Sequence, residues 1–97
     1  MVKTNLDASV SAEWFRGTYP KKYKVVLYDR KSGKKIKTVQ FGHQDYEHYH
    51  DSTPLKLYTK SNHGDKKRRD NYRSRHGTQG FQNKKYTPAW FSWYYLW

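Results

Sequence analysis

An interior for this chain has to be built from rings, because it has little else to build with. Aliphatic side chains are limited to five Val, five Leu and one Ile, against ten Tyr, four Trp and four Phe. With 97 residues, one domain is expected, and a domain of that size buries only roughly 60–70% of the surface its unfolded chain exposes. The core is therefore small and aromatic, and each buried Tyr hydroxyl or Trp N–H needs a hydrogen-bond partner. The greasiest stretch, TPAWFSWYYLW, is the last one, although chain ends normally fray.

Charge is the second constraint. Twenty Lys and Arg face eight Asp and Glu, for a formal net charge of +12. Such a surplus opposes compaction and favours a polyanionic or acidic partner. The chain has no Cys, which excludes disulfides and Cys-based zinc sites. The opening residues lack the apolar run of a secretory signal. No stretch approaches the ~20 apolar residues of a membrane span, so none is expected.

Along the chain, residues 1–22 carry no sustained period and read as an extended N-terminal arm with one aromatic anchor, Trp14 and Phe15. Residues 23–97 read as a small basic α+β domain. Its clearest part is a β-hairpin: YKVVLYDR and KIKTVQF alternate with period two around KSGK, a turn signal. Tyr23, Val25 and Leu27 share one face of the first run. Gly33 can supply the positive φ of the loop. A hairpin alone is marginal in water, so one face must be covered. HQDYEHYHD (43–51) suggests a short helix, and LKLYTK (55–60) a strand or extended piece. SNHGDKKRRDNYRSRHG predicts a basic helix, with Asn62 able to cap it and Gly77 to stop it. Thr87 and Pro88 then open a C-terminal helix. Trp90, Trp93, Tyr94 and Trp97 share one of its faces at i, i+3, i+4 and i+7.

Three stretches, KTVQFGHQDYEHYHD, NHGDKKRRDNYRSRHG and TPAWFSWYYLW, together resemble a family of small basic proteins encoded by nucleocytoplasmic large DNA viruses. The positions that carry the resemblance are Phe41-Gly42, then His63, Asp65, Arg68, Arg69, Tyr72, Arg75 and His76, then Leu96-Trp97. It covers roughly residues 23–97 and brings no assigned chemistry. It implies a viral setting: a component of the virion, assembled in the host cytoplasm or nucleus, at the inner capsid surface or with the packaged genome.

Lys66, Lys67, Arg68, Arg69, Arg73 and Arg75 crowd onto the basic helix. They suit phosphates, each neutralised phosphate releasing counterions. They equally suit guanidinium stacking on tail aromatics, or simple solvation. The tail rings have three readings: a lid for the hairpin, anchors for a partner protein, or platforms for bases. The first two together fit a helix that is apolar nearly all round, which makes Trp90, Trp93 and Trp97, with Trp14 and Phe15, candidate partner anchors. His43, His48 and His50 lack the converging geometry a metal needs, so no metal or cofactor is expected. KSGKK lacks the glycine and hydroxyl residue of a phosphate loop. No nucleophile–base or paired-carboxylate signature stands out, so an enzyme is not expected. The leading expectation is a non-enzymatic minor capsid or cementing protein bridging larger capsid or virion proteins. The alternative is sequence-independent nucleic-acid binding, coating or packaging genomic DNA through the basic surface.

Overall fold

Four antiparallel strands lie side by side in chain order in the computed structural model, which describes residues 2–97. They are β1 (Val2–Asn5), β2 (Val10–Arg16), β3 (Tyr23–Asp29) and β4 (Lys35–Phe41). The expected hairpin is β3–β4. Gly33 sits at φ 74° in its loop, and Asp29 Oδ1 accepts from the backbone N–H groups of Lys31 (2.8 Å) and Ser32 (3.3 Å).

The arm expected over 1–22 instead supplies β1 and β2, half of this sheet. These two strands are extended, but they are paired: Val2 lies opposite Trp14, Trp14 opposite Val25, and Val25 opposite Val39. Val10, Ala12 and Trp14 alternate inward, a period-two signal that is short and broken by polar neighbours. Asp7 turns β1 into β2 by accepting from the N–H groups of Ser9 (2.6 Å) and Val10 (2.7 Å), the side-chain-to-backbone bond that makes Asp a turn residue. The domain therefore does not begin at residue 23.

The inner sheet face presents Ala12, Trp14, Tyr23, Val25, Leu27, Val39 and Phe41, all buried. Across it lies the C-terminal helix. Two helices follow the sheet, α1 (Lys66–Gly77) and α2 (Pro88–Tyr95). α2 starts as its sequence predicts, with Pro88 in the first turn and Thr87 Oγ1 accepting from the Trp90 N–H. Phe91 is fully buried, stacked on Phe41 at 5.3 Å and edge-on to Trp14 at 5.9 Å. The aromatic end of the chain is thus the lid of its own sheet.

The helix expected over 43–51 does not form. Residues 43–63 are a turn-rich strap. The backbone N–H groups of Tyr49 and His50 donate to the Leu96 carbonyl (3.0 and 3.1 Å), and that of Ser52 to the Tyr95 carbonyl (2.8 Å). These bonds answer the carbonyls a helix leaves free at its C-terminus, and they tie the strap to the end of α2. LKLYTK is likewise no strand; it runs through turns into a 3-10 turn at Thr59–Ser61. Gly42 (φ 76°) permits close packing here, since a Cβ on it would come within 2.9 Å of Lys22 Cβ.

The cap of α1 is Asp65 rather than Asn62. Its Oδ1 accepts from the N–H groups of Lys67 (2.9 Å) and Arg68 (3.3 Å), while Asn62 is occupied by the strap. Asp65→Ala should lower unfolding free energy by about 1 kcal/mol, as lost caps do, measured by urea denaturation. No change would mean that α1 draws nothing from this cap.

Candidate functional site: a cationic cleft beside α1

α1 has no apolar stripe, so something else must hold it. Tyr72 stacks on Trp97 (4.4 Å, 6°) and His76 on Phe81 (4.4 Å, 12°). The Arg69 guanidinium lies 4.6 Å from the Tyr49 ring centre, and that of Arg73 5.1 Å from Trp93. Arg73 also donates through Nε (3.2 Å) and Nη2 (3.1 Å) to the main-chain oxygen of Trp97. Guanidinium–ring contacts contribute roughly 0.5–2 kcal/mol each. Arg69 and Arg73 therefore play the stacking part foreseen for this helix. Lys66, Lys67, Arg68, Arg73 and Arg75 are exposed and Arg69 is half-buried, with Arg68 paired to Glu47 at 3.1 Å.

Between α1, the strap and the end of α2 opens a cleft of about 590 Å3. Arg69, Arg73, His63, Asn62, Tyr49 and Trp97 line it, and no Asp or Glu does. His63 Nδ1 accepts from the Asp65 N–H at 2.9 Å, so the ring proton sits on Nε2. Burial, then the Arg68 charge, push the His63 pKa down, which keeps the ring neutral. Its Nε2 and the Nε of Arg69 have no hydrogen-bond partner; the nearest carboxylate to Arg69 Nε is Asp70, 3.9 Å away. The cleft carries two guanidinium groups and no Asp or Glu side chain, which suits an oxyanion.

Behind it runs a buried polar chain that sequence reasoning missed. Lys22, His48, Asp51 and Thr53 are all buried. The Lys22 ammonium donates to the Tyr46 carbonyl (2.7 Å) and to His48 Nδ1 (2.6 Å). An ammonium cannot accept, so the His48 proton sits on Nε2 and is donated to Asn62 Oδ1 (2.6 Å). Asn62 Oδ1 also accepts from the Asp51 N–H (2.7 Å). Burial pushes Lys22 down to about 8, with the Asp51 charge opposing the shift. Burial and the Lys22 charge likewise lower the His48 pKa. This network fixes the strap, and the strap forms one wall of the cleft. Only proximity in the fold joins residues 22, 48, 51 and 62, so no motif announces them.

The remaining candidates are scattered. Trp14 is 1% exposed, with its indole N–H donating to Thr4 Oγ1 at 2.9 Å, so it is core and not a partner anchor. Trp93 is buried against α1. Trp90 is half-buried against Tyr86, and Trp97 against Tyr72. Phe15 lies on the opposite, outer face of the sheet. Among the described residues, no group of three His, Cys, Asp or Glu side chains is placed to hold a metal ion, and no helix is long and apolar enough to cross a membrane. No protein-family model, curated protein or solved structure matches the chain.

Proposed function

We propose that this protein binds nucleic acid through its phosphates, without sequence preference, as a non-enzymatic coating or packaging protein. The observation that carries this reading is how the carboxylates are used. Asp7 and Asp29 brace turns, Asp65 caps α1, Asp51 is buried, and Asp45 accepts from the Tyr19 hydroxyl. Among the described residues, the ion pairs of Lys or Arg are Arg68–Glu47 and Arg69–Asp70. Most of the twenty cations therefore face outward without a carboxylate. A surface of that kind concentrates a polyanion. α1 adds Lys66, Lys67 and Arg75 beside the cationic cleft. The viral setting implied by the resemblance makes genomic DNA in a virion the natural partner.

The second reading is a minor capsid or cementing protein that bridges larger virion proteins. Exposed Tyr19 and Tyr46 (67% and 68%) favour it, as rings of that kind anchor protein interfaces. Binding to scrambled duplexes, followed by fluorescence anisotropy across salt concentrations, tests the first reading. The logarithm of affinity should fall linearly with the logarithm of salt, by about 0.9 for each phosphate neutralised. The triple variant Lys66→Gln, Lys67→Gln, Arg75→Gln should flatten that slope. Absence of binding at low salt, or binding insensitive to salt, would remove the reading.

A further inference from the structure

The sheet has two faces, and α2 covers one. Strand register defines the other. Phe15 lies opposite Lys24, and Lys24 opposite Gln40. Lys3 lies opposite Glu13, Glu13 opposite Val26, and Val26 opposite Thr38. Ser11 lies opposite Tyr28, and Tyr28 opposite Lys35. A sheet face open to water is normally polar at these positions. Here Phe15, Val26 and Tyr28 break the rule and are only partly covered.

What accompanies the rings identifies the occupant. Lys24 Nζ lies 5.2 Å from the Phe15 ring centre and Lys3 Nζ 5.4 Å from that of Tyr28. A hollow of about 470 Å3 adjoins Tyr28, lined in part by Lys3, Asn5, Ser11 and Arg30. The acidic groups nearby are engaged. Glu13 accepts from the Tyr28 hydroxyl at 3.5 Å, and Asp29 holds the hairpin loop. The face thus pairs flat apolar rings with adjoining lysines and little competing negative charge. A protein partner would call for a continuous apolar patch, and a duplex keeps its base faces stacked away. An unpaired strand offers both a ring to stack and a phosphate to pair. Phe15 and Tyr28 are offset by four residues along the strand direction, or roughly 13 Å at ~3.3 Å per residue. That gap leaves room for backbone phosphates between two stacked bases.

We propose that the outer sheet face binds single-stranded nucleic acid, with bases stacked on Phe15 and Tyr28 and phosphates met by Lys3, Lys24 and Lys35. This inference rests on the reading of the chain as a nucleic-acid binder, but uses the sheet face opposite the one that α2 covers. The test is the double variant Phe15→Leu, Tyr28→Leu, which keeps apolar bulk while removing the ring faces. Affinity for a short oligothymidylate should drop about tenfold per ring lost, while affinity for duplex changes less than about twofold, because no charge is removed. Unchanged oligothymidylate binding alongside intact duplex binding would overturn this inference alone. Binding of neither form by the wild-type chain would overturn the parent reading with it. Should the double variant fail to fold, photocrosslinking of the wild-type chain to a bromodeoxyuridine oligonucleotide decides. Crosslinks at Phe15 or Tyr28 support the assignment, and crosslinks confined to other residues refute it.

Discussion

Phe91→Ala should lower the unfolding free energy by about 3–5 kcal/mol, the range for deleting a buried aromatic ring. The upper part of that range is expected here. Phe91 has no exposed surface, and its ring centre lies within 6.2 Å of those of Trp14, Phe41, Trp90, Tyr86 and Tyr95. Such neighbours are rigid plates with few rotamers, so they cannot slump into the space as Leu or Met would. The cavity should persist, and the cost grows with what remains of it. A domain of this kind is stable by only about 5–15 kcal/mol in total, so the variant should lose a large share of that stability. Urea denaturation followed by tryptophan fluorescence measures it. Tyr94→Ala, on the same helix but 50% exposed, is the control and should cost less than about 1 kcal/mol. A loss below 1 kcal/mol for Phe91→Ala would mean that α2 is not what closes the sheet.

The same ring cluster explains what the sequence disclosed and what it hid. Alternation over 23–41 located β3 and β4 because Tyr23, Val25 and Leu27 form an uninterrupted inward row. Thr87 and Pro88 marked the start of α2 because capping is local chemistry. The inward face of α2 was not legible in the same way. A helix apolar on every side has no moment to orient it, and the choice was made by the surfaces on offer. Phe91 and Leu96 went to the sheet, while Trp93 and Trp97 went to α1. The arm failed for a related reason: Val10, Ala12 and Trp14 are an inward row of three, too short to stand above the polar residues around them. The basic helix was legible as a charged run, but not the particular rings and main-chain oxygen that its arginines meet. Arg69 and Arg73 became packing groups through Tyr49, Trp93 and the main chain of residue 97, all of them distant in sequence.

Those stacked arginines sharpen the functional reading. Since α1 is held by guanidinium–ring contacts, mutating Arg69 or Arg73 confounds fold and binding, while Lys66, Lys67 and Arg75 probe binding alone. The partner-anchor expectation weakens from the same cause. Trp14 and Trp93 are spent inside the molecule, which leaves exposed tyrosines such as Tyr19 and Tyr46 as the rings for a larger protein to grip.

Removing the Asp51 carboxylate should be about as damaging as removing Phe91. Its oxygens accept from the Thr53 hydroxyl (2.6 Å), the N–H groups of Thr53 and Tyr58 (3.0 Å each) and the Tyr23 hydroxyl. Asp51→Ala would orphan those buried donors, at about 1–3 kcal/mol each, and remove the charge that opposes the lowering of the Lys22 pKa. Asp51→Asn keeps the shape and part of the bonding, so it should cost less. The network also sets how stability follows pH. Burial pushes the Asp51 carboxyl up, but the bonds from Thr53, Tyr23 and the backbone outweigh it and leave it below the ordinary 3.8. His48 lies below its ordinary 6.5 because of burial and the Lys22 charge, and His63 because of burial and Arg68. For each group the unfolded chain binds its proton more readily, so stability present above the unfolded pKa is lost as pH falls. The loss should begin below pH 6.5 with the histidines and deepen below 3.8 with Asp51. Lys22 acts in the same direction higher up: between about 8 and 10.5 the unfolded chain holds the proton that the folded one releases, so stability should climb there. Burial raises Tyr72 and Tyr86 to about 12, and these reverse the trend above pH 10. Unfolding free energies measured across pH should therefore rise from acid to about pH 10. In His48→Gln the step below 6.5 should shrink, with the His63 part remaining. A wild-type protein equally stable at pH 5 and pH 7 would show that neither histidine is held neutral by the fold.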